Sequence, residues 1–307
     1  MSERRFDLSV VIPFIIFTGI WGSTWIVIRD QLGAVPAHWS ITYRFIIAAA
    51  AMAVVAMVKG ESLRLGRQGL IAAAILGVLQ FVINFNAVYL AEHHVTSGLV
   101  ATVFALLLIP NSLLGWAFLG QKPSARFAWG SLLAVTGILL LFVHELREHP
   151  SQSGAILLGI ALTLCGMLGA SAANIFQARE KVRRFPLFTL LAWAMGFGAL
   201  MDGAIALIFA GPPIIEARFG YWLGLVYLAI FASALAFSLY LPVVRKIGPA
   251  KAAYSSALVP IIAMGFSTWI EDYRWTLLTV AGASLAIGGM LVALTRSRST
   301  VAAPDAA

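Results

Sequence analysis

Apolar residues run along this chain in blocks, each about as long as the 20 residues a helix needs to cross a bilayer. Ten such blocks occur, at approximately 9–28, 38–58, 69–90, 95–119, 127–143, 154–178, 186–210, 221–244, 249–270 and 275–294. The polar connectors between them are short and leave no room for a soluble domain. The pattern therefore predicts an all-α integral membrane protein of ten transmembrane helices. One block carries an anomaly. Within "ITYRFIIAAAAMAVVAMV" stands Arg44, and a guanidinium at a helix centre costs roughly 2.5 kcal/mol or more in a bilayer. Arg44 must have a partner, a water-filled neighbour or a task.

Composition removes the soluble alternative. The chain of 307 residues is 61% hydrophobic and 11% charged, with a mean hydropathy of +0.91, whereas a soluble domain is about 25% charged. The net charge of +8 would suit a nucleic-acid partner, but in a membrane protein Lys and Arg mark the cytoplasmic side. Sixteen of them fall on the termini and alternate loops on one side. Four, Arg29, Arg147, Arg218 and Arg274, fall on the other. This predicts a multi-pass protein of a bacterial-type inner membrane with both termini cytoplasmic and no nucleic-acid partner. It also supports an even span count. Arg4 and Arg5 precede the first apolar run, as in a signal peptide. No small-residue cleavage site follows, so the run reads as an uncleaved span. Cys165, the one cysteine, lies in an apolar run and reads as a core packing residue. The last residues, 298–307, read as a disordered cytoplasmic tail.

The two halves match at a shift of about 150 residues: Thr24 with Asn174, Arg29 with Arg179, Pro36 with Pro186, Pro110 with Pro260, and Gln121 with Glu271. After a two-residue slip Gly130 matches Gly282 and Gly137 matches Gly289. Five spans per half is an odd number, so the halves, 1–148 and 149–297, enter the membrane from opposite sides. Inverted-topology repeats of this kind build many secondary transporters, with the substrate near the midplane between them. Gly130, Ala134 and Gly137 share one face of span 5, as Gly282, Ala286 and Gly289 do on span 10. Such small faces let membrane helices approach closely. Whether they meet within the chain or between subunits is left open, as is the oligomeric state.

These residues resemble the drug/metabolite transporter superfamily, and within it the family with two EamA-type repeats. The carriers are "WGSTWIVIRD" at 21–30, "YRFIIAA" at 43–49, "LLLIPNSLLGWAFLGQKPSARFAWGSLLAVTGILLL" at 106–141 and "LVPIIAMGFSTWIEDYRWTLLTVAGASLAIGGMLV" at 258–292. Gln121 replaces the usual acid of the first repeat and Glu271 keeps it in the second. Within the family the chain looks most like the bacterial aromatic amino-acid exporters. The resemblance implies a cavity lined by spans 1, 3, 4, 6, 8 and 9, alternating access, and export of small metabolites.

Polar residues deep in spans are few. Gln80 and Asn84 share a face of span 3, and Tyr89 continues toward its outer end. Buried amides are costly unless hydrogen-bonded, so the pair is either interhelical glue or a cavity wall. Trp21 and Thr24 on span 1, Tyr227 on span 8, and Tyr254 and Ser255 on span 9 complete the candidate substrate contacts. Asn174, Gln177 and Tyr240 read as interfacial. Pro110 and Pro260 each remove an intrahelical bond and predict matched kinks suited to gating. Arg44, one or two turns below the outer surface, is assigned a gating or structural role, with capture of a substrate carboxylate and snorkelling as alternatives. Asp202 is read as the one acid well inside a span, away from the cavity, while Glu92, His93 and His94 are placed at a membrane edge. Facilitated transport without a buried proton carrier follows as the expectation, with a proton-coupled drug or metabolite exporter as the alternative. An integral membrane enzyme or receptor is the competing class. "HELREH" at 144–149 misses the two-histidine zinc motif because Glu148 stands where the second histidine belongs. No phosphate loop or nucleophile elbow occurs. No catalytic residue, metal or cofactor is therefore expected, and the partners are amino acids or similar small molecules and the lipid bilayer.

Overall fold

The computed structural model describes residues 7–33, 35–120, 122–247 and 255–294, with Leu241 and 244–247 described as backbone only. Nine helices among these residues are long and apolar enough to span a membrane: α1 (Leu8–Gln31), α2 (Ala37–Val58), α3 (Arg67–Ala91), α4 (Ser97–Leu119), α5 (Ala125–Glu148), α6 (Pro150–Ala178), α7 (Leu187–Phe209), α8 (Phe219–Tyr240) and α10 (Leu277–Leu294). The shorter apolar α9 (Ser255–Ile270) completes ten. The chain is thus a multi-pass helical membrane protein built of two five-helix repeats. Its outward faces stay apolar: Leu200 is 72% and Leu277 88% exposed, as lipid-facing residues are. Cys165 is one of these exposed positions, not a core residue. Hydropathy alone does not separate a lipid-facing position from a packed one.

The 150-residue shift reappears in the helix boundaries. Pro36 and Pro186 stand at the N-caps of α2 and α7, where the missing N–H is not needed. Gly60 and Gly211 close the same helices with φ of +74° and +76°, a left-handed conformation that glycine adopts without steric cost. The two helices also clasp each other reciprocally. From α2, the indole of Trp39 donates to Gly211 O (3.2 Å) and the Tyr43 hydroxyl to Ile214 O (3.1 Å). From α7, the Thr189 hydroxyl donates to Ser62 O (3.0 Å) and the Trp193 indole to Leu63 O (2.9 Å).

The halves interlock more deeply through their first helices. α1 packs on α8 and α9 of the second half, and α6 packs on α3 and α4 of the first. Gly22 permits the α1–α9 contact, since a Cβ there would lie 2.6 Å from the Ile262 side chain. The glycine stripes of α5 and α10 meet within the chain, backbone against backbone: a Cβ on Gly137 would lie 2.3 Å from Ala286 N. α3 and α8 contain π-helical segments at Gly77–Ile83 and Tyr227–Leu235, again starting 150 residues apart. A Cβ on Gly77 would lie 2.7 Å from Ala194 O of α7, so close packing accompanies the first of them.

The expected pair of matched proline kinks is not what the structure shows. α4 breaks into Ser97–Ala105 and Leu108–Leu119. The break falls at Leu106, the residue whose carbonyl loses its i+4 partner at Pro110. α9 continues helically through Pro260.

Candidate functional site

A cavity of about 300 Å³ lies between the halves. Its walls come from α1 (Trp21, Thr24, Trp25, Ile28), α3 (Gln80, Asn84, Phe85, Val88), α4, α6, α8 and α9. These are the six spans the family resemblance implied, with Arg44 of α2 added. Aromatic rings form much of the surface. Trp21 is held by its indole N–H to Ala232 O (3.2 Å) and by edge contacts with Phe17 and Phe237. Trp25 lies against Phe104. The polar groups converge on one region: Gln80, the Asn84 amide, whose Oδ1 is buried and has no partner among the described residues, and the Arg44 guanidinium. Both π-helical segments contribute to the wall, through Gln80 and Ala232. Bulges of this kind occur frequently at functional sites.

Several expected residues fall elsewhere. Thr24 and Ser255 line the cavity, the former with its hydroxyl returned to Ile20 O (2.9 Å). Tyr89 does not line it. Its ring is fully buried one turn beyond, accepting from Arg44 Nη1 (3.4 Å) and donating to Gln31 Oε1 (3.3 Å). Tyr227 faces away. It shares a hydrogen bond with Ser23 (2.7 Å) and lines a separate, open groove of about 970 Å³ between α1 and α8. That larger void is lined at the charge-poor end by Arg29, Asp30, Thr96 and Glu271 and otherwise by apolar side chains, and it does not reach Gln80, Asn84 or Arg44. Tyr254 lies outside the described residues. Asn174 and Tyr240, read as interfacial, both line the cavity. Asn174 donates to Asn111 (3.4 Å) where the cavity extends toward the face rich in Lys and Arg. The repeat match of Asn174 with Thr24 was the one sequence signal that pointed to it.

Toward the charge-poor face the cavity is sealed. Gln31, Arg44, Tyr89, Glu92 and Ser97 are all almost fully buried. Gln31 donates to Tyr221 O (3.5 Å) and Arg44 Nη2 to Ser233 Oγ (3.4 Å), so this layer ties α1, α2, α3 and α8 together. Above it Glu271, at the end of α9, accepts from the Ser97 backbone N–H (3.2 Å), the Ser97 hydroxyl (2.7 Å) and the Ser267 hydroxyl (2.5 Å). It also pairs with Arg29 Nε at 3.5 Å. A carboxylate here satisfies an N-terminal amide of α4 and meets the positive end of that helix. Glu271→Ala is expected to cost about 1–2 kcal/mol, read as a lower melting midpoint of the purified protein.

Glu92 is not at an exposed edge. It is the first residue after α3, in a connector whose His94 and Val95 pack against Gly159 of α6. Its side chain is 0% exposed and neither carboxyl oxygen has a hydrogen-bond partner among the described residues. Burial, with nearby Glu271 adding to it, raises its carboxyl well above the usual carboxylate range against the smaller pull of Arg29 and Arg44. Asp202 sits apart from the cavity, as expected. Its Oδ1 accepts from Asn86 Nδ2 (2.6 Å), and the Asn86 carbonyl meets the His38 ring.

Comparison with known proteins agrees with this architecture. The family model described as the EamA-like transporter family matches residues 8–143 and 157–295. Protein PagO of Salmonella typhimurium is 23% identical over 87% of this chain and 86% of its own. The uncharacterized inner membrane transporter YedA of Escherichia coli is 26% identical over 81% and 78%. A protein of Escherichia coli named "Probable amino-acid metabolite efflux pump" is 24% identical over 89% and 90%. One solved crystal structure superposes with a TM-score of 0.66 at 19% identity, covering 94% of this chain and 97% of that one, which is a likeness of fold.

Proposed function

Because the chain belongs to the EamA-like transporter family, a family of membrane transporters and not of enzymes, we propose that it exports amino acids, aromatic and other neutral ones foremost, by alternating access. The observation that carries this reading is the cavity: about 300 Å³, walled by both halves, mostly apolar with six aromatic side chains, and with Gln80, Asn84 and the Arg44 cation among its polar groups. That volume is at the small end of ligand pockets and suits a single small metabolite. The name of one relative, an amino-acid metabolite efflux pump, points the same way. The excess of Lys and Arg on one face supports placing that face in the cytoplasm. The sealed layer of Gln31, Arg44, Tyr89 and Glu92 is then the closed outer gate, and the halves divide near residue 148.

Transport is read as facilitated. Reconstituted liposomes are expected to show saturable phenylalanine counterflow with no imposed pH gradient. Asp202→Asn is expected to leave it unchanged, since an asparagine can still accept from Asn86. Absence of any saturable flux overturns the reading. A strict need for a pH gradient would instead favour the second reading, a proton-coupled drug or metabolite exporter, for which the buried carboxyls of Glu92 and Asp202 speak.

A further inference from the structure

Among the described residues Arg44 is the one charged side chain on the cavity wall, and it is unusually short of partners. It is 2% exposed. A guanidinium carries five N–H donors. Two nitrogens reach neutral hydroxyls, on Tyr89 and Ser233, both at 3.4 Å, beyond the 2.7–3.2 Å or so of ordinary N–H···O bonds. The third nitrogen, Nε, is buried with no partner among the described residues. Among the described residues the ion pairs within 4.0 Å are Arg29–Glu271 and Arg218–Asp30, so no carboxylate is in direct contact with it; the acid that feels its charge is Glu92, whose carboxyl burial raises well above the usual range. The guanidinium lies 4.6 Å from the ring centre of Phe85, which is itself a wall of the cavity. A cation buried without a counter-ion is strongly unfavourable. Glue between helices would have produced short bonds and a used Nε.

We propose that Arg44 is the carboxylate-binding residue of this cavity, so that its substrates are small molecules bearing a free carboxylate. The proposal rests on the cavity being the transport site. The planar edge of a guanidinium matches a carboxylate with two parallel hydrogen bonds. The unpartnered Oδ1 of Asn84 offers an acceptor for an ammonium, and Trp21, Trp25 and Phe104 offer an apolar seat for a side chain. The three together fit an amino-acid zwitterion. A purely cationic amphiphile would meet Arg44 with like charge and no acidic wall to offset it.

Binding of phenylalanine, 3-phenylpropionate, phenylalaninamide and phenethylamine to the purified full-length protein at neutral pH, measured by titration calorimetry, tests this without any variant. The two acids are expected to bind about tenfold to hundredfold more tightly than the amide and the amine. Arg44→Gln is expected to remove that preference while phenethylamine binding persists or improves, and Arg44→Lys to keep part of it. Equal binding of acids, amide and amine would overturn the role of Arg44 and leave the cavity reading intact. So would acid binding that survives in Arg44→Gln. If none of the four binds the wild type, the amino-acid reading fails and this inference falls with it.

Discussion

Gly289→Leu is expected to yield no folded protein, while Gly288→Leu, one residue earlier on α10, is expected to fold like the wild type. A Cβ on Gly289 would lie 2.3 Å from Ala134 N and 2.6 Å from Gly130 O of α5. Both are backbone atoms, and neither can swing aside as a side chain would. Overpacking a well-packed contact costs about 1–3 kcal/mol even where side chains can adjust, and here two helix backbones must separate. Separation also breaks the reciprocal contacts of Gly130, Gly137 and Gly282, because the stripe is continuous along both helices. A domain is stable by only about 5–15 kcal/mol. Gly288 has nothing within 4 Å of its Cβ position, and a leucine there has better helix propensity by about 0.5–1 kcal/mol. Monodisperse recovery on size-exclusion chromatography after detergent extraction distinguishes the two. Comparable recovery of both variants would mean that α5 and α10 do not pack as described.

That contact was readable in advance, since small residues at matched positions in two spans announce backbone approach. The span count and the repeat were readable too, because bilayer thickness sets block length and duplication leaves a fixed shift; the six cavity-lining spans came from the family resemblance alone. The π-helical segments were not. They are set by i→i+5 backbone bonding, such as Ala236 N–H to Phe231 O, and by interhelical contacts that no composition records. Tyr227, at the start of the second segment, faces the separate groove, whereas Phe237 and Tyr240 beyond it face the cavity. Arg44 was visible as an anomaly, yet only the structure places its guanidinium on the cavity wall. Glu92 was misjudged for a related reason. A Glu-His-His run after an apolar block marks the end of a span, where Glu92 indeed stands, but the run does not tell that Glu92 is buried while His93 beside it is exposed.

That burial makes Glu92→Gln a gain in stability that grows with pH. The groups facing Glu92 are Arg29 of α1, Arg44 of α2, Tyr89 of α3 and Glu271 beyond α9. Its folded-state pKa is raised from the ordinary 4.5, so between that value and the raised one the native chain holds a proton that the unfolded chain has released. The stability tied to this proton is fully present below the ordinary carboxylate pKa and is lost as pH rises through the folded one, at up to about 1.4 kcal/mol per pH unit. Glutamine keeps the neutral shape and cannot ionise. The melting midpoint of the wild type, relative to Glu92→Gln, is therefore expected to fall as pH rises from 5 toward the raised folded-state pKa. Taking the difference cancels other titrating groups, including His93, whose lowered pKa acts in the opposite direction. The coupling also bears on the gate. With the seal open, water would reach Glu92 and let it ionise, so alkalinity on the charge-poor face should favour the open form. Parallel melting curves for the two proteins across that range would show that Glu92 carries no proton in the sealed state, and the gate would then have no acid to respond to.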